Sequence, residues 1–217
     1  MRDEDIERGS QVLDGLRITE LNLSRGDRQL IVGLFLELGR GQAVSLTGAN
    51  GAGKSSLLRA ISGFIRPEAG RIDFLKDGSV VDADEARRVG LHLTGHLEGL
   101  KPTRTARQEM AFQNRFLGGS PDGFERAVEQ LQLEPLLDLE TRRLSAGQKR
   151  RVSMARLVSA PRPLWLLDEP LAPLDSVWRQ RIGDLMQAHL AGGGMIIAAV
   201  HDPLPFETLS LDLGGRA

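Results

Sequence analysis

The sequence predicts an α/β fold: a mostly parallel sheet covered by helices, with an N-terminal antiparallel β portion and an inserted helical block. Three observations carry this. The runs Leu164–Leu167 and Met195–Val200 are short and continuously apolar, as strands buried on both faces are. Helical periodicity follows or precedes each of them, so strands and helices alternate toward both ends of the chain. Between them, from about Thr94, the texture turns helical.

The elements follow in order. Residues Met1–Gly15 are densely charged and carry little apolar pattern, which reads as a tail ahead of one unit spanning 16–217. From Leu16 the segments LRITELNLS, QLIVGLFLEL and QAVSLTG read as strands, parted by the turn-forming RGDR and GRG. The third runs into a glycine-rich loop and then KSSLLRAISGF, a helix. RPEAG is a turn, GRIDFL and SVVDA are short strands, and Glu85–Arg88 leads into the strand VGLHL. Pro102–Phe116 and Phe124–Leu133 have helical spacing and are split by LGGSPDG. Ser145–Ser159 reads as a long amphipathic helix, PLWLLDEP as a buried strand, Ser176–Leu190 as a helix ended by GGG, and MIIAAV as a last buried strand.

Composition removes several functions. No cysteine is present, which excludes thiol catalysis, thiolate metal sites and a disulfide framework. The 28 basic and 29 acidic residues leave a net charge of −1, so no global field exists to hold nucleic acid, and no nucleic-acid partner is expected. No apolar run approaches the roughly 20 residues that span a bilayer, and the N-terminus lacks a secretory pattern.

The chemistry concentrates in two places. Residues Gly48, Ala49, Asn50, Gly51, Ala52, Gly53, Lys54 and Ser55 match G-x-x-x-x-G-K-[ST] in full, between a strand and a helix. Glycines let the backbone curl so that its N–H groups face phosphate oxygens, and the helix N-terminus adds a positive dipole end. Lys54 then reaches the β- and γ-phosphates of a bound nucleotide, Ser55 is a Mg²⁺ ligand, and Ser56 completes the phosphate-binding run. At the end of the strand LWLLDE, Asp168 is placed to hold Mg²⁺ through water and Glu169 to act as general base.

Leu144–Arg150, LSAGQKR, resembles the LSGGQ signature of ATP-binding cassette proteins, with Ala146 replacing the first glycine. Leu174–Asp175 resembles that family's D-loop, and His201 its switch histidine. All motifs occur in the family's order, and the resemblance runs from about Leu16 to Leu213. It implies a P-loop NTPase (RecA-like) fold with a helical subdomain at about 95–158. It further implies two subunits packed head to tail, so that Ser145, Ala146, Gly147 and Gln148 of one, with Asp175, meet the nucleotide held by the other. Within the family the chain is most similar to the ATPase subunits of haem exporters in cytochrome c maturation. GANGAGKSSLLRAISG, the GH-x-x-G-L-K stretch at Gly95–Lys101, LSAGQKRRVSMARL and an end soon after the histidine strand carry that likeness. The implied role is an ATPase at the cytoplasmic face of the inner membrane, peripheral through a separate integral membrane permease that it drives. Alternatives are the ATPase of another exporter, or a non-transport cassette that works by ATP-dependent dimerisation.

Two positions depart from the family pattern. The aromatic residue that usually stacks on adenine is replaced by Arg25, which either stacks its guanidinium plane or is an exposed turn residue. The glutamine that usually touches Mg²⁺ and the attacking water is replaced by Leu97, with His96 and Glu98 flanking it as possible substitutes.

Overall fold

The structure, a computed structural model, describes residues 13–214. The predicted tail falls mainly on residues 1–12, outside the described residues. Leu13 is already buried and the first strand starts at Gly15, so packing begins ahead of Leu16.

Strands β1 (Gly15–Arg25) and β2 (Arg28–Gly39) form a hairpin whose register runs from Gly15 opposite Gly39 to Arg25 opposite Arg28. β4 (Ala69–Lys76) pairs antiparallel with the other edge of β1, and the two-residue β5 (Ser79–Val80) extends the sheet to the order β2-β1-β4-β5. β1 is bulged between Thr19 and Asn22, where Glu20 takes φ 51°. Gly70 sits on that bulge at φ 80°, and a Cβ there would lie 2.4 Å from the Glu20 carbonyl oxygen. Only glycine fits.

The second sheet is parallel: β6 (Leu91–Thr94), β7 (Leu164–Asp168), β8 (Met195–Ala199), β3 (Ala43–Thr47) and β9 (Leu209–Asp212), in that spatial order. Alternation within these strands feeds two cores. Val44, Leu46, Leu164, Leu166, Met195, Ile197 and Ala199 face α1 (Lys54–Ile61) and the antiparallel sheet. Ala43, Trp165, Leu167, Ile196 and Ala198 face the helices on the opposite side of the sheet. Burial on both sides is why these strands read as unbroken apolar runs. Because β7, β8 and β3 are neighbours, the loops that leave their carboxyl ends emerge together at one edge.

The central helices are α3 (Ala106–Phe116), α4 (Pro121–Gln130) and α5 (Ala146–Ser159), followed after β7 by α6 (Ser176–Ala191). α3 and α4 pack on α5, and their apolar faces join the core beneath the parallel sheet rather than forming a separate one. Two 3₁₀ turns, Glu134–Leu136 and Thr141–Arg143, lead into α5. Capping sets the starts: Thr105 accepts from the Gln108 amide and Gln108 answers, so α3 begins at Ala106 rather than Pro102. Ser120 caps α4 with Pro121 at its first position, ahead of the predicted Phe124. Asp82 accepts from Glu85 N at 2.8 Å, which opens a short α2 (Ala83–Val89) where only a strand and a connection were expected. β9, also unforeseen, adds to the edge beside β3.

Candidate active site

The phosphate loop links β3 to α1, and its glycines take the conformations a nest requires: Gly48 φ 121°, Gly51 φ 83° and Gly53 φ 104°. Gly53 caps α1 without any side-chain bond, so the first-turn amides of that helix face the loop. Lys54 is buried, and its ammonium donates to the carbonyls of Gly48 at 2.6 Å and Ala49 at 3.3 Å, which curls it over the loop.

A cleft of about 540 Å³ opens above this loop. Asn50, Gly51, Ala52, Gly53, Lys54, Ser55 and Ser56 form its floor, with Asp168, Glu169 and Ala172 on one side, His201 and His96 nearby, and Arg25, Arg28 and Leu30 as the opposite wall. That volume suits a nucleotide. Ser55 and Asp168 supply hard oxygen donors on one cleft, the kind of partial set Mg²⁺ uses beside substrate phosphates. Among the described residues no cluster of three His, Cys, Asp or Glu side chains makes an all-protein cage.

Asp168 is the last residue of β7 and is buried. Glu169 follows at φ 50°, a conformation that non-glycine residues enter at a cost, which turns its side chain out of the strand direction. Its amide donates to Ala199 O at 3.0 Å, tying the turn to β8. His201 Nε2 lies 3.2 Å from Glu169 Oε1, which brings ring and carboxylate into direct contact. That contact orients both groups at the cleft mouth.

The remaining predicted residues lie elsewhere. Ser145 is the N-cap of α5, and its hydroxyl accepts from Gln148 N while Gln148 Oε1 accepts from Ser145 N at 2.8 Å. Gly147 approaches the Pro173 carbonyl, where a Cβ would stand 3.0 Å away. Asp175 caps α6 through Trp178 N at 2.9 Å. None of Ser145, Ala146, Gly147, Gln148 or Asp175 lines the cleft of its own chain. Leu97 turns outward at 81% exposure, whereas His96 faces the cleft and Glu98 lies 4.0 Å from Arg150.

Three residues escaped the sequence reading. Arg28 and Leu30 wall the cleft because the β1–β2 hairpin folds over the phosphate loop, a long-range pairing that no local pattern displays. Arg150, buried on α5, donates to carbonyls at the end of β7. Its signal was available: Met154 and Leu157, four and seven residues on, place position 150 on the buried face of the helix.

The architecture defines a nucleotide-hydrolysing cassette, and the chain belongs to the ABC transporter family, whose model matches residues 31–172. It is an ATPase of that family. Among its relatives, the cytochrome c biogenesis ATP-binding export protein CcmA of Rhodopseudomonas palustris (strain BisB5) is 44% identical over 91% of this chain and 96% of that protein. The CcmA protein of Maricaulis maris is 42% identical over 93% and 92%. Among solved structures, a dimeric post-hydrolysis ATP-binding cassette bound to ADP and Pi superposes with a TM-score of 0.73 at 25% identity, covering 86% of this chain and 88% of that one. A putative ABC transporter ATP-binding protein from Pyrococcus furiosus, 20% identical, shares the fold with a TM-score of 0.77 over 92% and 97%.

Proposed function

We propose that the chain is the ATPase of a haem exporter in cytochrome c biogenesis, working as a head-to-tail homodimer with Mg²⁺ on a separate integral membrane permease. The observation that supports it best is the division of the machinery. Lys54, Asp168, Glu169 and His201 line one cleft, while the signature turn at Ser145–Gln148 lies outside it. A second subunit is the natural source of that turn. The likeness to CcmA proteins over nearly the whole chain supports the biological role. Among the described residues no helix is long and apolar enough to cross a membrane, which fits attachment through a partner.

In this reading the loop amides and Lys54 hold the β- and γ-phosphates, and the Arg25 side of the cleft receives the base. Glu169 takes the proton of a water that attacks the γ-phosphorus in line, as the bond to the β-phosphate oxygen breaks to give ADP and phosphate. His201 keeps the Glu169 carboxylate aimed. Ser55 and, through water, Asp168 would hold Mg²⁺, which would supply charge neutralisation at the phosphates. Ser145 and the first-turn amides of α5 from the other subunit close over the γ-phosphate, so ATP joins the dimer and hydrolysis releases it.

The test is co-purification from native membranes. The expected result is an ATP-hydrolysing complex of this chain with a polytopic membrane protein, carrying haem or a haem-bearing protein. A complex with a nuclease or ribosomal factor overturns the transport reading.

A further inference from the structure

Arg150 heads the fully buried side chains by volume, 1% exposed despite its charge. One guanidinium there serves four backbone carbonyls: Nε donates to Pro170 O at 3.1 Å, Nη1 to Gly95 O at 3.0 Å, and Nη2 to Asp168 O and Glu169 O at 2.6 Å each. Burial lowers its pKa from the ordinary arginine value, opposed by the charges of Glu98, Asp168 and Glu169. Only a planar fork of five donors can satisfy that arrangement; lysine or glutamine cannot reach all four oxygens.

The carbonyls come from separate parts of the machinery. Gly95 opens the loop into the helical block, whose next residue, His96, faces the cleft. Asp168 and Glu169 are the turn that presents the general base. Arg150 itself stands on α5, little more than one helical turn from Ser145. The Glu169 peptide is thus held at both ends in its left-handed conformation, its N–H by Ala199 and its C=O by Arg150.

We propose that Arg150 is a positioning residue for hydrolysis: it locks the Glu169 peptide so that the carboxylate aims into the cleft, and makes that aim depend on where α5 and the 95–98 loop stand. The second half rests on the head-to-tail dimer. There the first turn of α5 meets the partner's nucleotide, so one rigid helix links capping of one site to alignment of the base in the other.

The experiment measures steady-state hydrolysis, ATP affinity and vanadate trapping of ADP for the full chain and for Arg150→Gln and Arg150→Lys. Arg150→Gln is expected to lower kcat at least about 10-fold, the scale of a base displaced by a fraction of an ångström, with KM and ATP affinity held within about twofold. Vanadate trapping, which needs the aligned site, falls with kcat, and Arg150→Lys restores part of both. Should Arg150→Gln not fold, Arg150→Lys and Glu98→Gln carry the test, each with a kcat loss of about threefold at unchanged KM. Wild-type kcat in any folded Arg150 variant overturns the proposal, as does retained vanadate trapping when kcat falls. If a Glu169→Gln variant stays monomeric with ATP, the dimer reading and the link between sites fail, while the kcat and trapping results still decide the positioning role.

Discussion

At the scale of single residues, the proposed function divides binding from chemistry between Lys54 and Glu169. Lys54 is a buried point charge on the loop, with its nitrogen 2.6 Å from the Gly48 oxygen. Lys54→Ala leaves the β- and γ-phosphates without that charge, and loss of tight ATP binding is expected in equilibrium titration. Glu169→Gln keeps the shape of the turn and its contact with His201 but cannot take a proton. It is expected to bind ATP, to hydrolyse it at least about 100-fold more slowly, and to accumulate an ATP-bound dimer on size exclusion. Turnover near wild type would remove Glu169 as the base.

At the scale of elements, stability depends on how neighbours meet. Gly70 lets β4 cross the β1 bulge; Gly70→Ala drives a methyl group onto the Glu20 carbonyl and should lower the unfolding free energy by about 2 kcal/mol or more in denaturant titration. His189 on α6 stacks on Trp165 of β7 at 3.8 Å, and burial pushes its pKa down to about 4. Its Nε2 is buried without a hydrogen bond, and the nearby Met195 and Pro163 backbone, which favours the protonated ring, does not offset the burial. With the folded value below the unfolded 6.5, the unfolded chain binds the extra proton, and stability falls as pH drops from about 6.5 toward 4. The full loss is about 3 kcal/mol. His189→Phe, which keeps the stack, should therefore narrow its stability gap to wild type across that window, and a gap that stays constant counts against the assignment.

The same elements show what a sequence displays. The phosphate loop, β7 and β8 were legible because their chemistry or burial is local: a fixed motif, or apolar runs covered on both faces. α2 was missed because its cap, Asp82, follows β-branched residues that favour a strand, and β9 because an exposed edge strand has little apolar signature. The cleft wall at Arg28 and Leu30 and the clamp at Arg150 are products of tertiary contact. Each joins segments far apart in the chain, where neither periodicity nor motif records the meeting.

At the scale of the whole molecule, the loop from Gly95 to Glu98 faces two ways. Gly95 is fastened to Arg150, His96 looks into the cleft, and Leu97 stands 81% exposed where a family glutamine usually reaches the nucleotide. A leucine in that place does nothing for metal or water, but an exposed apolar side chain at the junction of the sheet and the helical block is suited to an apolar partner. Under the proposed function that partner is the permease. Leu97→Glu should then leave hydrolysis by the isolated subunit within about twofold, because the side chain lies outside the cleft, yet weaken permease binding about 10-fold by setting a charge against an apolar contact. His96→Ala should do the reverse, slowing hydrolysis with or without the permease while sparing association. Pull-down and ATPase assays on both variants, with and without the permease, separate the two faces of the loop. Full stimulation of Leu97→Glu by the permease would place the interface elsewhere, and slowed basal hydrolysis in that variant would mean the leucine position serves the cleft after all.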